Sequence, residues 1–352
     1  MRAIAAGSSS RASRTRPSRP RIATPRWRIG CSSALVAGKS DAEARAAGDR
    51  RSELQREARQ RTMSSDLLVK AARTGRIIAR VTPESAGWRY VGFEALWLAP
   101  GETYAGMTGA RELCIVVVSG RVTVASGDLV WRGLGERASP FEDVAPHAAY
   151  LPPGRDVRIA GETDAEIALC TAPAAQGVAP RRIEPADMRR TVRGQGSNTR
   201  YVRDILPQDA PAEALLVVEV ITPPGHSSSY PPHKHDTDDV PAESFLEETY
   251  YHRLDPPQGF AFQRVYTDDR SLDEAMTVED RDVVMVPRGY HPVIVPHGYT
   301  SYYLNVMAGP QPRLAFPQRS RARLDAGARD MDASSRVRAP EARVRSDGRA
   351  RG

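Results

Sequence analysis

Twice along this chain an apolar run stops at a proline–glycine turn, and the two passages repeat in the same order. The run from Trp88 to Leu98 ends in Ala99-Pro100-Gly101, and the run from Ala214 to Thr222 ends in Pro223-Pro224-Gly225. Later, Ala148-Ala149-Tyr150-Leu151 runs into Pro152-Pro153-Gly154, and Val283-Val284-Met285-Val286 runs into Pro287-Arg288-Gly289. Between them, short β-branched runs are broken by Gly or Pro about every 8–12 residues, the texture of a sandwich or small barrel. Helix-period stretches are rare. The expected fold is therefore all-β, with two barrel or jelly-roll halves produced by an internal duplication. The linker at residues 172–180 sets the expected division: residues 63–175 form the first barrel and residues 176–312 the second.

Charge separates the folded part from its ends. The whole chain carries 50 Lys+Arg against 43 Asp+Glu. Residues 1–62 hold 15 basic and 5 acidic residues, and residues 313–352 hold 11 and 5, so residues 63–312 are acidic, 24 against 33. A nucleic-acid binder needs a basic face on the folded core, and this distribution excludes one. Both tails are poor in large apolar residues and are expected to be disordered; the first is alternatively an over-extended start, with the working protein beginning at Met63. No apolar run reaches the roughly 18 residues of a membrane span. The three cysteines, Cys31, Cys114 and Cys170, form no CxxC pair, which fits buried thiols in a reducing cytoplasm.

The second half carries the chemistry. His233-Lys234-His235 sets two imidazoles on one face of a strand, because side chains alternate with period two. Glu247-Glu248 follows on a strand-like run, and His291 follows the Pro287-Arg288-Gly289-Tyr290 turn. Three neutral imidazoles and one carboxylate suit a divalent transition metal, with positions left open for water or substrate. Only one of the two glutamates can face the barrel: Glu248, Tyr250 and His252 share one strand face, and Glu247, Thr249, Tyr251 and Arg253 the other. His147, His226 and His297 sit in turn-like contexts and read as surface or loop residues.

A barrel with HxH, then Glu, then PxG followed by His is the cupin pattern, and two barrels with ligands in the second alone make a bicupin. The runs Leu246-Glu-Glu-Thr-Tyr-Tyr-His-Arg253, Pro257-Gln-Gly-Phe-Ala-Phe-Gln-Arg-Val-Tyr266, Pro287-Arg-Gly-Tyr-His-Pro-Val293 and Tyr302-Tyr-Leu-Asn-Val-Met-Ala-Gly309 resemble the 5-deoxy-glucuronate isomerase family of myo-inositol catabolism. The resemblance covers roughly residues 87–310. Two features depart from it. Residues 236–247 intervene between HxH and its glutamate, and the Arg-rich sequence after Leu314-Ala-Phe-Pro317 does not match.

The resemblance implies a cytoplasmic, metal-dependent aldose–ketose isomerase that converts 5-deoxy-D-glucuronate to 5-dehydro-2-deoxy-D-gluconate. It places metal ligation on His233, His235, Glu248 and His291, and leaves room for a homo-oligomer. Glu247 and Tyr250 are then the side-chain candidates for moving the proton. Arg264, continuing the Phe260/Phe262 face into the barrel, is the expected anchor for the substrate carboxylate, with Arg288 second. The rival readings are a cupin dioxygenase on the same ligand set and a sugar-binding bicupin without turnover.

Overall fold

The computed structural model describes residues 65–72 and 74–311. The expectations for residues 1–62 and 313–352 fall outside the described residues. The first half contributes β2 (Ile77–Val81), β3 (Gly92–Leu98), β4 (Thr103–Met107), β5 (Arg111–Ser119), β6 (Val122–Ser126), β7 (Leu129–Leu134), β8 (Ala148–Leu151), β9 (Asp156–Gly161), β10 (Ala165–Pro173) and β11 (Arg181–Ile183). The second contributes β12 (Arg189–Arg193), β13 (Arg200–Leu206), β14 (Leu215–Thr222), β15 (Ser227–Ser228), β16 (Glu247–Asp255), β17 (Phe260–Tyr266), β18 (Asp273–Glu279), β19 (Val283–Val286), β20 (Val293–Ile294) and β21 (Thr300–Ala308). Each half pairs a large sheet, ordered β11-β8-β5-β10-β3-β2 or β1-β19-β16-β21-β14-β13-β12, with a four-stranded one, β4-β9-β6-β7 or β15-β20-β17-β18. Here β1 is Leu68–Val69, ahead of the first half in the chain. The four glycines that close the repeated turns, Gly101, Gly154, Gly225 and Gly289, all have positive φ, +80°, +76°, +73° and +92°, a region only glycine enters without strain.

The two large sheets pack against each other, so their central strands are buried on both faces. That is why β5 reads as a continuous apolar run rather than an alternating one. Cys114, Val116 and Val118 join Leu215, Val217, Leu304 and Val306 in the core between the halves. Leu113, Ile115 and Val117 fill the first barrel instead. Each such side chain contributes about 1.5–3 kcal/mol of burial, and the first barrel's interior is filled by these side chains with Val122, Val124 and Ile159.

The sheets do not divide at residue 175. β11 lies past that point, yet it pairs with β8 of the first half. β1 lies before it, yet it pairs with β19 of the second, Leu68 opposite Val284, and Lys70 Nζ fastens it 2.7 Å from both Glu279 and Asp282. Each half thus lends its leading strand to the other. Composition marks a linker but does not say which sheet edge a flanking strand will cover. Among the described residues no helix is long and apolar enough to cross a membrane.

Candidate metal centre

His233 and His235 lie in the irregular segment between β15 and β16, outside any named strand, and His291 lies between β19 and β20. The expectation of a strand under the histidine pair is corrected: His233 forms only an isolated bridge, and the His235 carbonyl accepts from Leu246 N at 3.1 Å. His235 and His291 are 1% and 0% exposed, and the ligand atoms of the three histidines all fall within 4.8 Å of one another. Glu248 joins them from β16. Its Oε2 is 3.0 Å from His235 Nε2 and 3.3 Å from His291 Nε2, while its Oε1 accepts from Asn305 Nδ2 at 2.6 Å.

The tautomers decide what this cluster can hold. His235 Nδ1 lies 2.8 Å from the Leu246 carbonyl, and His291 Nδ1 lies 2.8 Å from the Gly289 carbonyl. A carbonyl only accepts, so both Nδ1 atoms carry hydrogen, and in the neutral rings both Nε2 lone pairs point at a carboxylate oxygen. Lone pairs facing lone pairs repel unless a positive centre sits among them. His291 Nε2 is buried with no hydrogen-bond partner, as a coordinating nitrogen requires. Burial pushes His291 down to about 4, and burial together with the neighbouring imidazoles holds His233 well below the usual histidine range. Burial would lower His235 too, but the Glu248 carboxylate outweighs it and raises that ring. A divalent cation fits this donor set.

The supporting contacts are specific. Asp236 Oδ1 accepts from Gly289 N at 2.5 Å, and Gly289 O in turn orients His291. A Cβ at Gly289 would come 2.6 Å from the Tyr266 carbonyl, so the turn closes only with glycine. Glu243 Oε1 accepts from Asp236 N and Thr237 N and folds the inserted loop onto the site. Replacing Asp236 by alanine is expected to weaken metal binding about 10–100-fold, the usual effect of losing an outer contact. Competition titration against a chelator measures it; unchanged affinity would show that the Gly289 carbonyl is held without Asp236.

A cavity of about 330 Å³ opens beside the cluster, with Arg200, His233, Glu248, Tyr250, Tyr303 and Asn305 in its wall. Tyr250 is therefore at the site, its hydroxyl 3.0 Å from Ser229 Oγ. The other expected residues are not. Glu247 points to the opposite side of β16, where its carboxylate accepts from the backbone N–H groups of Arg89, Tyr90 and Val91 at 2.8–2.9 Å. Glu112 on β5 does the same for Glu213, Ala214 and Leu215 at 2.6–2.9 Å. The pair clasps the halves reciprocally, so Glu247 is structural and not a base.

Arg264 is also outside. The alternation of β17 is as expected, but its phase is inverted: Ala261, Gln263 and Val265 are buried, whereas Phe262 is 48% exposed. Arg264 pairs on the surface with Asp273 at 2.7 and 2.8 Å. Arg288 borders a separate outer groove with Trp88, Tyr90 and Phe245. His147, read as a surface residue, is 4% exposed with Nε2 3.2 Å from Glu184. Reasoning from sequence missed Asn305 and Tyr303. A polar Asn between Leu304 and Val306 of β21 was the available signal for the first.

His252 lies behind Tyr250, fully buried, with Nε2 2.9 Å from Gln263 Oε1. Burial pushes it down to about 4 from 6.5. Between those values the unfolded chain binds a proton that the folded chain does not, so stability falls as pH falls through that window. The contribution is about 3 kcal/mol. Denaturant midpoints at pH 7 and 4.5 should converge in a His252→Gln variant relative to the unmodified chain; an unaltered pH dependence would refute the assignment.

Known proteins resemble this chain in sequence and in fold. Residues 67–322 match the KduI/IolB family profile. A 5-deoxy-glucuronate isomerase of Geobacillus kaustophilus is 51% identical over 233 residues, covering 66% of this chain and 84% of that protein. One from Bacillus subtilis is 50% identical over 242 residues, 68% of this chain and 89% of that protein. Among solved structures, an IolB-like protein from Salmonella typhimurium has a TM-score of 0.71 and 47% identity, covering 72% of this chain and 97% of that one. An oxalate decarboxylase from Lactobacillus farciminis, at 12% identity and TM-score 0.52 over 78% of this chain and 94% of that one, shares the bicupin fold.

Proposed function

This chain belongs to the KduI/IolB family and is an isomerase, and from that premise we propose that it is a metal-dependent aldose–ketose isomerase acting on 5-deoxy-D-glucuronate. The product is 5-dehydro-2-deoxy-D-gluconate, and the setting is inositol catabolism in the cytoplasm. The observation that carries the metal is the pair of Nε2 lone pairs, on His235 and His291, converging on Glu248 Oε2. His233, His235, Glu248 and His291 would hold one divalent ion, with zinc or manganese best suited to the donors because the reaction needs no net redox change. Such an ion supplies Lewis acidity to the reacting carbonyl.

The rest falls to the chain's own residues. Asn305 holds the Glu248 carboxylate in one orientation through Oε1. Burial keeps the Tyr250 hydroxyl protonated far above the ordinary tyrosine range, so at neutral pH it acts as a donor, not a base. Its Oη stands in the cavity wall where it can hold a proton for a substrate oxygen. An NMR time course of 5-deoxy-D-glucuronate with the full chain tests the proposal. Ketose signals should grow with metal present, stop on chelation and return when metal is restored. Substrate binding without any ketose would instead identify a sugar-binding bicupin, and oxygen uptake would identify a dioxygenase.

A further inference from the structure

A sugar acid brings a full negative charge into a cavity with a carboxylate already in its wall. Leaving that charge without a partner is expensive, and an arginine is the usual answer. Arg264 and Arg288 are elsewhere. Three other arginines border the cavity: Arg189, Arg193 and Arg200. Arg189 is 2.8 Å from Asp204 and 3.6 Å from Asp209, and Arg193 is 3.9 Å from Asp204. Among the described residues no carboxylate lies within ion-pair distance of Arg200.

Arg200 is also held in place. It opens β13, whose alternate residues Val202, Asp204 and Leu206 line the same cavity. Its Nη1 donates to Asn198 O, Asn198 Oδ1 and Tyr230 O at 3.2–3.3 Å. Asn198 Nδ2 donates to the same Tyr230 carbonyl at 2.7 Å, three residues before His233. One carbonyl therefore fixes the arginine relative to the metal-ligand segment. All three contacts use Nη1, so the Nε–Nη2 edge, the one that grips a carboxylate with two parallel bonds, takes no part in them. Burial disfavours the charge on Arg200, and that charge reaches His233. A cation kept in a partly dry place without an acid is a cation waiting for one.

We propose that Arg200 reads the substrate's carboxylate and makes the site selective for acyclic sugar acids over the neutral aldoses of the same length. The proposal takes its ligand class from the isomerase reading, but binding tests it separately. The probes are 5-deoxy-D-glucuronate and the 5-deoxy aldohexose with CH₂OH in place of the carboxylate. Both are titrated by calorimetry into the metal-loaded full chain and its Arg200→Gln and Arg200→Lys variants. The unmodified protein should prefer the acid by about 10- to 100-fold, the range of a charge-assisted pair. Arg200→Gln should reduce the preference to within about threefold while metal content and affinity for the neutral sugar stay within threefold. Arg200→Lys should recover part of it.

Equal weakening of both ligands in Arg200→Gln would overturn the proposal and leave Arg200 as a clasp for the 193–200 loop. So would an acid preference that survives the substitution, or no preference in the unmodified chain. An Arg200-dependent preference without any ketose formation would sink the isomerase reading and leave the anchor standing.

Discussion

A His291→Ala variant is expected to lose bound metal and to turn over at least about a thousandfold more slowly, since Lewis-acid stabilisation is worth several kcal/mol and each 1.36 kcal/mol is a factor of ten. The ring is fully buried, and its Nε2 has no hydrogen-bond partner. Its removal takes away a ligand together with the bond to the Gly289 carbonyl and the ring contacts with His233, His235 and Tyr250. Elemental analysis of the purified variant, alongside its rate, makes the check. A variant that keeps stoichiometric metal and near-normal turnover would show that His291 is a packing residue and that the ion, if needed at all, sits elsewhere. The fold should survive, because the side chains around His291 that hold the barrel, such as Val284, Val286 and Val293, form their own apolar cluster.

The largest expected loss of stability lies far from the metal. Glu219 on β14 is fully buried between Arg137 of the first half and Arg203 of the second. Arg137 grips it with two bonds at 2.9 and 2.8 Å, and Arg203 adds a third at 2.8 Å. Glu219→Gln keeps the shape and removes the charge, leaving two buried guanidinium groups without their shared partner. Breaking a buried pair in this way costs about 3–5 kcal/mol. At about 2–4 °C per kcal/mol for a protein of this size, Tm should fall by roughly 10 °C. Thermal unfolding followed by calorimetry measures this. A change under about 1 kcal/mol would mean that the arginines find substitutes in the Val118 and Val144 carbonyls they already touch. Glu166 receives Arg253, Arg281 and the Tyr251 hydroxyl in a comparable way, so charge joins the halves at two places.

Much of the fold was legible because strands carry their signal locally. The repeated turns announced the duplication, and the four positive-φ glycines sit where the sequence put them. Period two put Glu248 and Glu247 on opposite faces, but the resemblance to the family, not the alternation, chose Glu248, which lies beside the histidines. Where the reading failed, the missing information was the phase or the partner. On β17 the alternation was plain, but both of its faces carry residues that could be interior. The outer face holds Phe260 and Phe262, which pack against each other and Tyr299 rather than into the barrel. That inversion carried Arg264 to the surface with them.

The sequence by itself determined that this chain is an all-β duplication with its candidate metal ligands in one half. Alternation, turn chemistry and ligand type are properties of short stretches, and they need no knowledge of what lies opposite. Only the tertiary structure decided which charged residues border the cavity and which hold the halves together. Glu247 was assigned to the clasp by the N–H groups of residues 89–91, more than 150 positions away in the chain. Arg200 borders the cavity because β13 carries it there in line with Val202, Asp204 and Leu206. The physical reason is the same for both: a buried charge is defined by its partner, and partners are brought together by packing across the chain, not by spacing along it.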